Sequence, residues 1–168
     1  MGLSTDLLEQ SRHLLNREVR RPRQASLRRS VSAAYYGLFH YLIAEAILKF
    51  PRHPENLRHQ VARAFQHSRM RDVCKIFASN ASANSSISKI TSDAIDQRIK
   101  NIASVFIDLQ QARNSADYDL DFHFTRKFAL QKVIIAEQAI AGWKQVRDTE
   151  DAAAFLSSLL FHNLWSKS

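Results

Sequence analysis

Apolar residues recur at three- and four-residue intervals along most of the chain, and no stretch between turn signals alternates apolar with polar positions. The pattern predicts helices and no sheet. The first helix runs from about Thr5 to Arg20, capped by Ser4 or Thr5 and stopped by Pro22. The second covers Ser26 to Lys49 and ends before Pro51, and the third runs from Pro54, a favoured first-turn residue, to Ala78, with its stripe losing phase near Ser68. "SNASANSSISKITS" (79–92) reads as a polar loop, because serine and asparagine compete for backbone hydrogen bonds. A fourth helix starts with Ser92 or Asp93 as cap and reaches Ala116, a fifth covers Phe124 to Val146, and a short sixth occupies 150–165. The expected fold is all-α: an up-and-down bundle of four to five main helices plus a short C-terminal one, in a single domain over 1–168.

Two helices carry more than a core stripe. On the second, Leu27, Val31, Tyr35, Leu38, Leu42 and Ala46 share one face, while Arg29, Tyr36, His40, Ile43 and Ile47 form a column on another. Arg29, Tyr36 and His40 either line a cleft there or include half-buried groups with satisfied hydrogen bonds. On the fourth, Ile95, Ile99, Ile102, Phe106 and Leu109 make a stripe that Arg113 interrupts. A guanidinium keeps its proton and is costly to bury alone, so Arg113 requires acidic company. Asp117, one turn on, and Glu45 on the second helix are the candidates.

The chain has 168 residues, and three glycines and three prolines are few for that length, which supports the helical reading. A single cysteine, Cys74, excludes an internal disulfide, and no secretory leader pattern opens the chain, so a cytoplasmic location is expected. The apolar stretches in 33–48 are interrupted by His40 and Glu45, and no membrane partner is expected. The net charge is +8 and unevenly placed: residues 12–75 hold fourteen Lys and Arg against four acidic residues, and the remainder from 76 holds ten of each sign. A basic half suits an anionic partner such as RNA or an acidic protein surface, although it also serves solubility. Arg28, Arg29, Arg58, Arg63, Arg69 and Arg71 are the candidate nucleic-acid contacts, with Tyr35, Tyr36 or Phe65 available for stacking. No metal-ligand spacing or glycine-rich phosphate loop is present, so neither metal nor cofactor is expected.

"LRRSVSAAYYGLFHYLIAEA" (27–46) followed by "ARNSADYDLDFHFTRKFALQKVIIAEQAIAGW" (112–143) resembles the HEPN superfamily, small helical domains of prokaryotic toxin–antitoxin and defence systems. The resemblance implies a helical bundle, commonly a homodimer, and in active members metal-independent RNA cleavage by an arginine and a histidine separated by four to six residues. The arginine maps onto Arg113. Where the closest spacing would put histidine, this chain has Tyr118, and His123 lies outside the pattern. Tyrosine titrates near pH 10 and is a poor base at neutral pH, whereas histidine can take and return a proton there. The expected function is therefore binding of RNA or a nucleotide-bearing partner, with Arg113, Asp117, Tyr118 and, secondarily, His40 forming the cleft. Two alternatives stay open. One is a ribonuclease toxin in which His40, His67 or His123 supplies the imidazole, and the other is a non-enzymatic partner of a nucleotidyltransferase or antitoxin.

Overall fold

The computed structural model describes residues 2–49, 65–79 and 95–165. Regular structure there is entirely helical: α1 (Leu3–Asn16), α2 (Gln24–Leu48), α3 (His67–Ala78), α4 (Gln97–Tyr118), α5 (Arg126–Val146) and α6 (Glu150–Trp165) form an all-α helical bundle. The residues pack as two compact units. Unit 1 comprises 1–41 and 105–141, and unit 2 comprises 42–104 and 142–168.

Helix ends depart from the sequence expectation where side chains compete for the backbone. α1 stops at Asn16, not Arg20, because Arg126 donates to the carbonyls of Glu18 and of Val19 (3.0 Å) and draws that backbone out of the helix. Ser4 is not a cap. The helix starts on Gly2 without a side-chain cap, and the Ser4 hydroxyl instead donates to the Gly37 carbonyl on α2 at 2.7 Å. Pro54 to Ala64 lie outside the described residues, but Phe65 and Gln66 are non-helical and α3 begins only at His67. Gln66 is extended and Phe65 buried, so no single helix runs through to Ala78. The loop expected over 79–92 is described only at Ser79. α4 begins at Gln97 and not after Ser92 or Asp93, with the Asp96 carboxylate accepting the Arg98 amide at 2.8 Å as its cap. Thr125 and Thr149 cap α5 and α6 in the same way, at 3.1 Å to Phe128 and 3.2 Å to Ala152.

In unit 1, Leu15 of α1, Leu27 and Val31 of α2, Ala112 and Ala116 of α4, and Phe124 and Ala129 at α5 form one buried cluster. Ser11 and Ser30 each donate a hydroxyl to the other's carbonyl, at 2.6 and 2.8 Å, so two buried polar groups are satisfied reciprocally. Gly37 lets α1 approach closely: a Cβ there would lie 2.9 Å from Leu8.

In unit 2, Glu45 is buried and accepts the Trp143 indole N–H at 2.8 Å and Arg147 at 3.2 Å. Phe155 packs edge-on against Phe77 at 4.9 Å and beside Trp143 at 5.9 Å. Each of these fully buried rings contributes roughly 1.5–3 kcal/mol over its exposed state. By length and composition α2 is apolar enough to cross a membrane, which the reading of 33–48 alone does not anticipate. Yet 67% of its most apolar window is buried inside the protein, as in the core helix of a soluble protein.

Candidate functional site

Arg113 is the hub of unit 1. Its Nη2 donates to the Tyr36 hydroxyl at 2.8 Å, its Nη1 to Asn114 Oδ1 at 3.1 Å, and its Nε lies 2.7 Å from Asp117 Oδ2. The last contact is ionic, with the Nε hydrogen not aimed at the oxygen. The guanidinium also lies 5.5 Å from the centre of the Tyr36 ring and 5.6 Å from that of Tyr118. Burial works against its charge, but the hydroxyl of Tyr36 and the carboxylate of Asp117 outweigh burial and raise its pKa above the usual arginine value. Asp117 is held in turn by the Ser32 hydroxyl, which donates to Oδ1 at 2.8 Å.

The pairing of Arg113 with Glu45 therefore does not form, since Glu45 serves Trp143 and Arg147. The (i, i+4) partner wins because it needs no additional ordering of the chain.

Beside this network an open groove of about 370 Å³ runs between α1 and α2, lined by Leu7, Gln10, Leu14, Arg29, Ser32, Ala33 and Tyr36. Ser32 and Tyr36 belong to both features and connect the groove to Arg113. Arg29 is exposed and has no partner among the described residues.

The other candidates have separate fates. Tyr118 is 73% exposed and covers Arg113 from the solvent side. His40 does not line the groove. It stacks on Tyr36 at 6.3 Å, is half-buried, and burial lowers its pKa. His123 is exposed, with Nε2 3.3 Å from the Gln24 amide nitrogen, and His67 belongs to unit 2.

Arg28 is occupied by the protein itself: Nη1 donates to the carbonyls of Ser115, Ala116 and Asp119, Nη2 to those of Leu120 and Phe122, and the group lies 5.0 Å from the Phe124 ring centre. Arg69 and Arg71 are half-buried on α3, and Arg58 and Arg63 lie outside the described residues. Tyr35 and Phe65 are buried and cannot stack on a base, which leaves Tyr36. No three His, Cys, Asp or Glu among the described residues gather to hold a metal ion.

No family model, curated protein or solved structure matches this chain.

Sequence reasoning named Arg29 and Tyr36 on α2's wall of the groove, added His40, which does not line it, and missed α1's wall. Leu7, Gln10 and Leu14 share a face at i, i+3 and i+7, a signal that was present but marks any amphipathic helix. Ser32 was missed too, since a small hydroxyl on an apolar helix shows no role until its acceptor is known.

Proposed function

We propose that this chain is a HEPN-like helical module, acting as a homodimer, that binds RNA or a nucleotide-bearing partner without the arginine–histidine ribonuclease chemistry of active members. The observation that carries this is the contrast between its arginines. Arg113 is enclosed by Tyr36, Asn114, Asp117 and Tyr118, and no imidazole is among its contacts in the described residues. Arg29, by contrast, projects from an apolar groove whose rim also offers the Gln10 amide and the Tyr36 ring. A cation beside apolar and aromatic surface suits a phosphate joined to a base, because the charge holds the anion while the ring faces pack.

The ribonuclease reading retains one support, the contiguity of His40, Tyr36 and Arg113, with burial keeping His40 largely neutral at pH 7 and so able to accept a proton. One experiment separates the two. The full chain is incubated with a mixed single-stranded RNA pool in EDTA, as wild type, Arg29→Glu and His40→Ala, with folding checked by circular dichroism. The expected result is intact RNA, bound by wild type and about tenfold more weakly by Arg29→Glu, equivalent to ~1.4 kcal/mol. Cleavage by wild type that folded His40→Ala loses would replace this reading with a metal-independent ribonuclease.

A further inference from the structure

One end of unit 1 is built from two chain links held side by side. The α1–α2 link (17–23) is fixed by Arg126, which donates to the carbonyls of Glu18 and Val19 from the first residue of α5. The α4–α5 link (119–125) is fixed from α2: Gln24 accepts the Phe124 amide at 2.9 Å and donates to its carbonyl at 2.8 Å, and Arg28 holds the carbonyls of Asp119, Leu120 and Phe122. Links tied down this firmly would be expected to tuck their apolar side chains inward. Instead Val19 is 82% exposed and Leu120 87% exposed.

The charges on the two links are opposite. Arg20, Arg21 and Arg23 are exposed on the first, and Asp119 and Asp121 are exposed on the second. No ion pair joins the two sets within the described residues, although they share one end of the unit.

We propose that this end is a self-complementary contact surface for a second copy of the chain, with Val19 and Leu120 packed at its centre and Arg20 and Arg21 of one protomer facing Asp121 of the other. A twofold axis requires one patch to carry both halves of every interaction, and a patch bearing an arginine link, an aspartate link and protruding aliphatics meets that requirement. An extended polyanion would engage the arginine link alone and leave the aspartate link and the two protruding aliphatics without a partner. The proposal rests on the dimeric reading above only for the presence of two copies, since the surface itself is read from the two links.

The test uses the full chain in sedimentation velocity at tens of micromolar, with RNA binding measured in parallel. The variants are Arg20→Glu with Arg21→Glu, Asp121→Arg, and Leu120→Ser, all at exposed side chains. The expected results are a dimeric wild type, monomers for each variant, and recovery of a dimer when the Arg20→Glu/Arg21→Glu chain is mixed with Asp121→Arg. Monomeric wild type, or a dimer that survives Leu120→Ser and both charge reversals, would overturn the proposal, as would a mixture that stays monomeric. Leu120→Ser that is monomeric yet still binds RNA supports both readings, whereas a wild type that dimerises through this patch without binding RNA supports this surface and removes the functional one.

Discussion

At the scale of single residues, the arginine that interrupts an apolar stripe is explained by local company. Arg113 is about four-fifths buried, with side-chain exposure of 19% against 20% for Asp117, and truncating it leaves that carboxylate with Ser32 alone. Arg113→Ala is expected to cost about 2 kcal/mol, the range for losing hydrogen bonds to charged groups, read as a lowered denaturant midpoint at constant slope. Glu45→Ala should cost about as much or more, because it leaves the buried Trp143 N–H without its acceptor.

His40 makes stability depend on pH. Burial lowers its folded-state pKa below the ordinary 6.5, so the folded chain binds fewer protons there than the unfolded one. The stability His40 contributes is present above pH 6.5 and is lost as pH falls below it. A thermal melt series from pH 7.5 to 5 should show that decline in wild type and a shallower one in His40→Gln. Equal slopes would show that His40 is not its source. The stripes that the sequence shows from Leu27 to Ala46 and from Ile95 to Leu109 are buried throughout, while of the column Arg29, Tyr36 and His40 only the first two line the groove. The sequence could not choose between Asp117 and Glu45, because helix phase gives the direction of a side chain and not which neighbouring helix reaches it.

At the scale of elements, Arg28 is the clearest case of a charge whose role is hidden in sequence. The last four carbonyls of a helix have no intrahelical donors. α4 ends without a basic residue in its last turn, and Arg28 reaches across from α2 to supply a donor to Ala116, a second donor to Ser115, whose carbonyl also accepts the Asp119 amide at 3.1 Å, and then donors to the link beyond. Read along the chain, Arg28 and Arg29 are two equal members of a basic cluster; read in three dimensions, one caps a helix and the other faces a groove. Arg28→Ala is expected to destabilise by about 3 kcal/mol, and Arg28→Lys to recover only part of that, because an ammonium lacks the planar fork that spans several carbonyls. Hydrogen exchange at the amides of 119–122 should quicken in both variants before the core of α4 is affected. Unchanged exchange there would mean that the link is held by Asp119, whose carboxylate accepts the Asp121 and Phe122 amides at 3.1 Å. The helix boundaries that sequence missed have mixed causes: Arg126 takes the carbonyls of Glu18 and Val19 beyond Asn16, Asp96 caps α4 at Gln97 locally while its own amide donates to distant Asp151, and the backbone is extended at Gln66 before His67.

At the scale of the whole molecule, the charge of +8 and the isoelectric point near 10.0 make the chain a cation at physiological pH, and salt is the variable that reports how that charge is used. Each phosphate contact on a single strand contributes roughly −0.7 to the slope of log affinity against log salt. In a dimer joined through the two links as proposed, Arg20 and Arg21 would face protein and add nothing to that slope, leaving the proposed RNA binding to Arg29 and the remaining basic surface. Leu120→Ser, which removes no charge, frees those two arginines. It should steepen the slope by about 1.4 units, two contacts at roughly 0.7 each, while leaving affinity at low salt equal or greater. Fluorescence anisotropy with a short labelled RNA between 50 and 300 mM salt, run on wild type and Leu120→Ser at one protein concentration, measures both slopes; two identical slopes would mean that the link arginines contact RNA equally in both states or in neither, and would separate the basic end of unit 1 from the control of RNA binding.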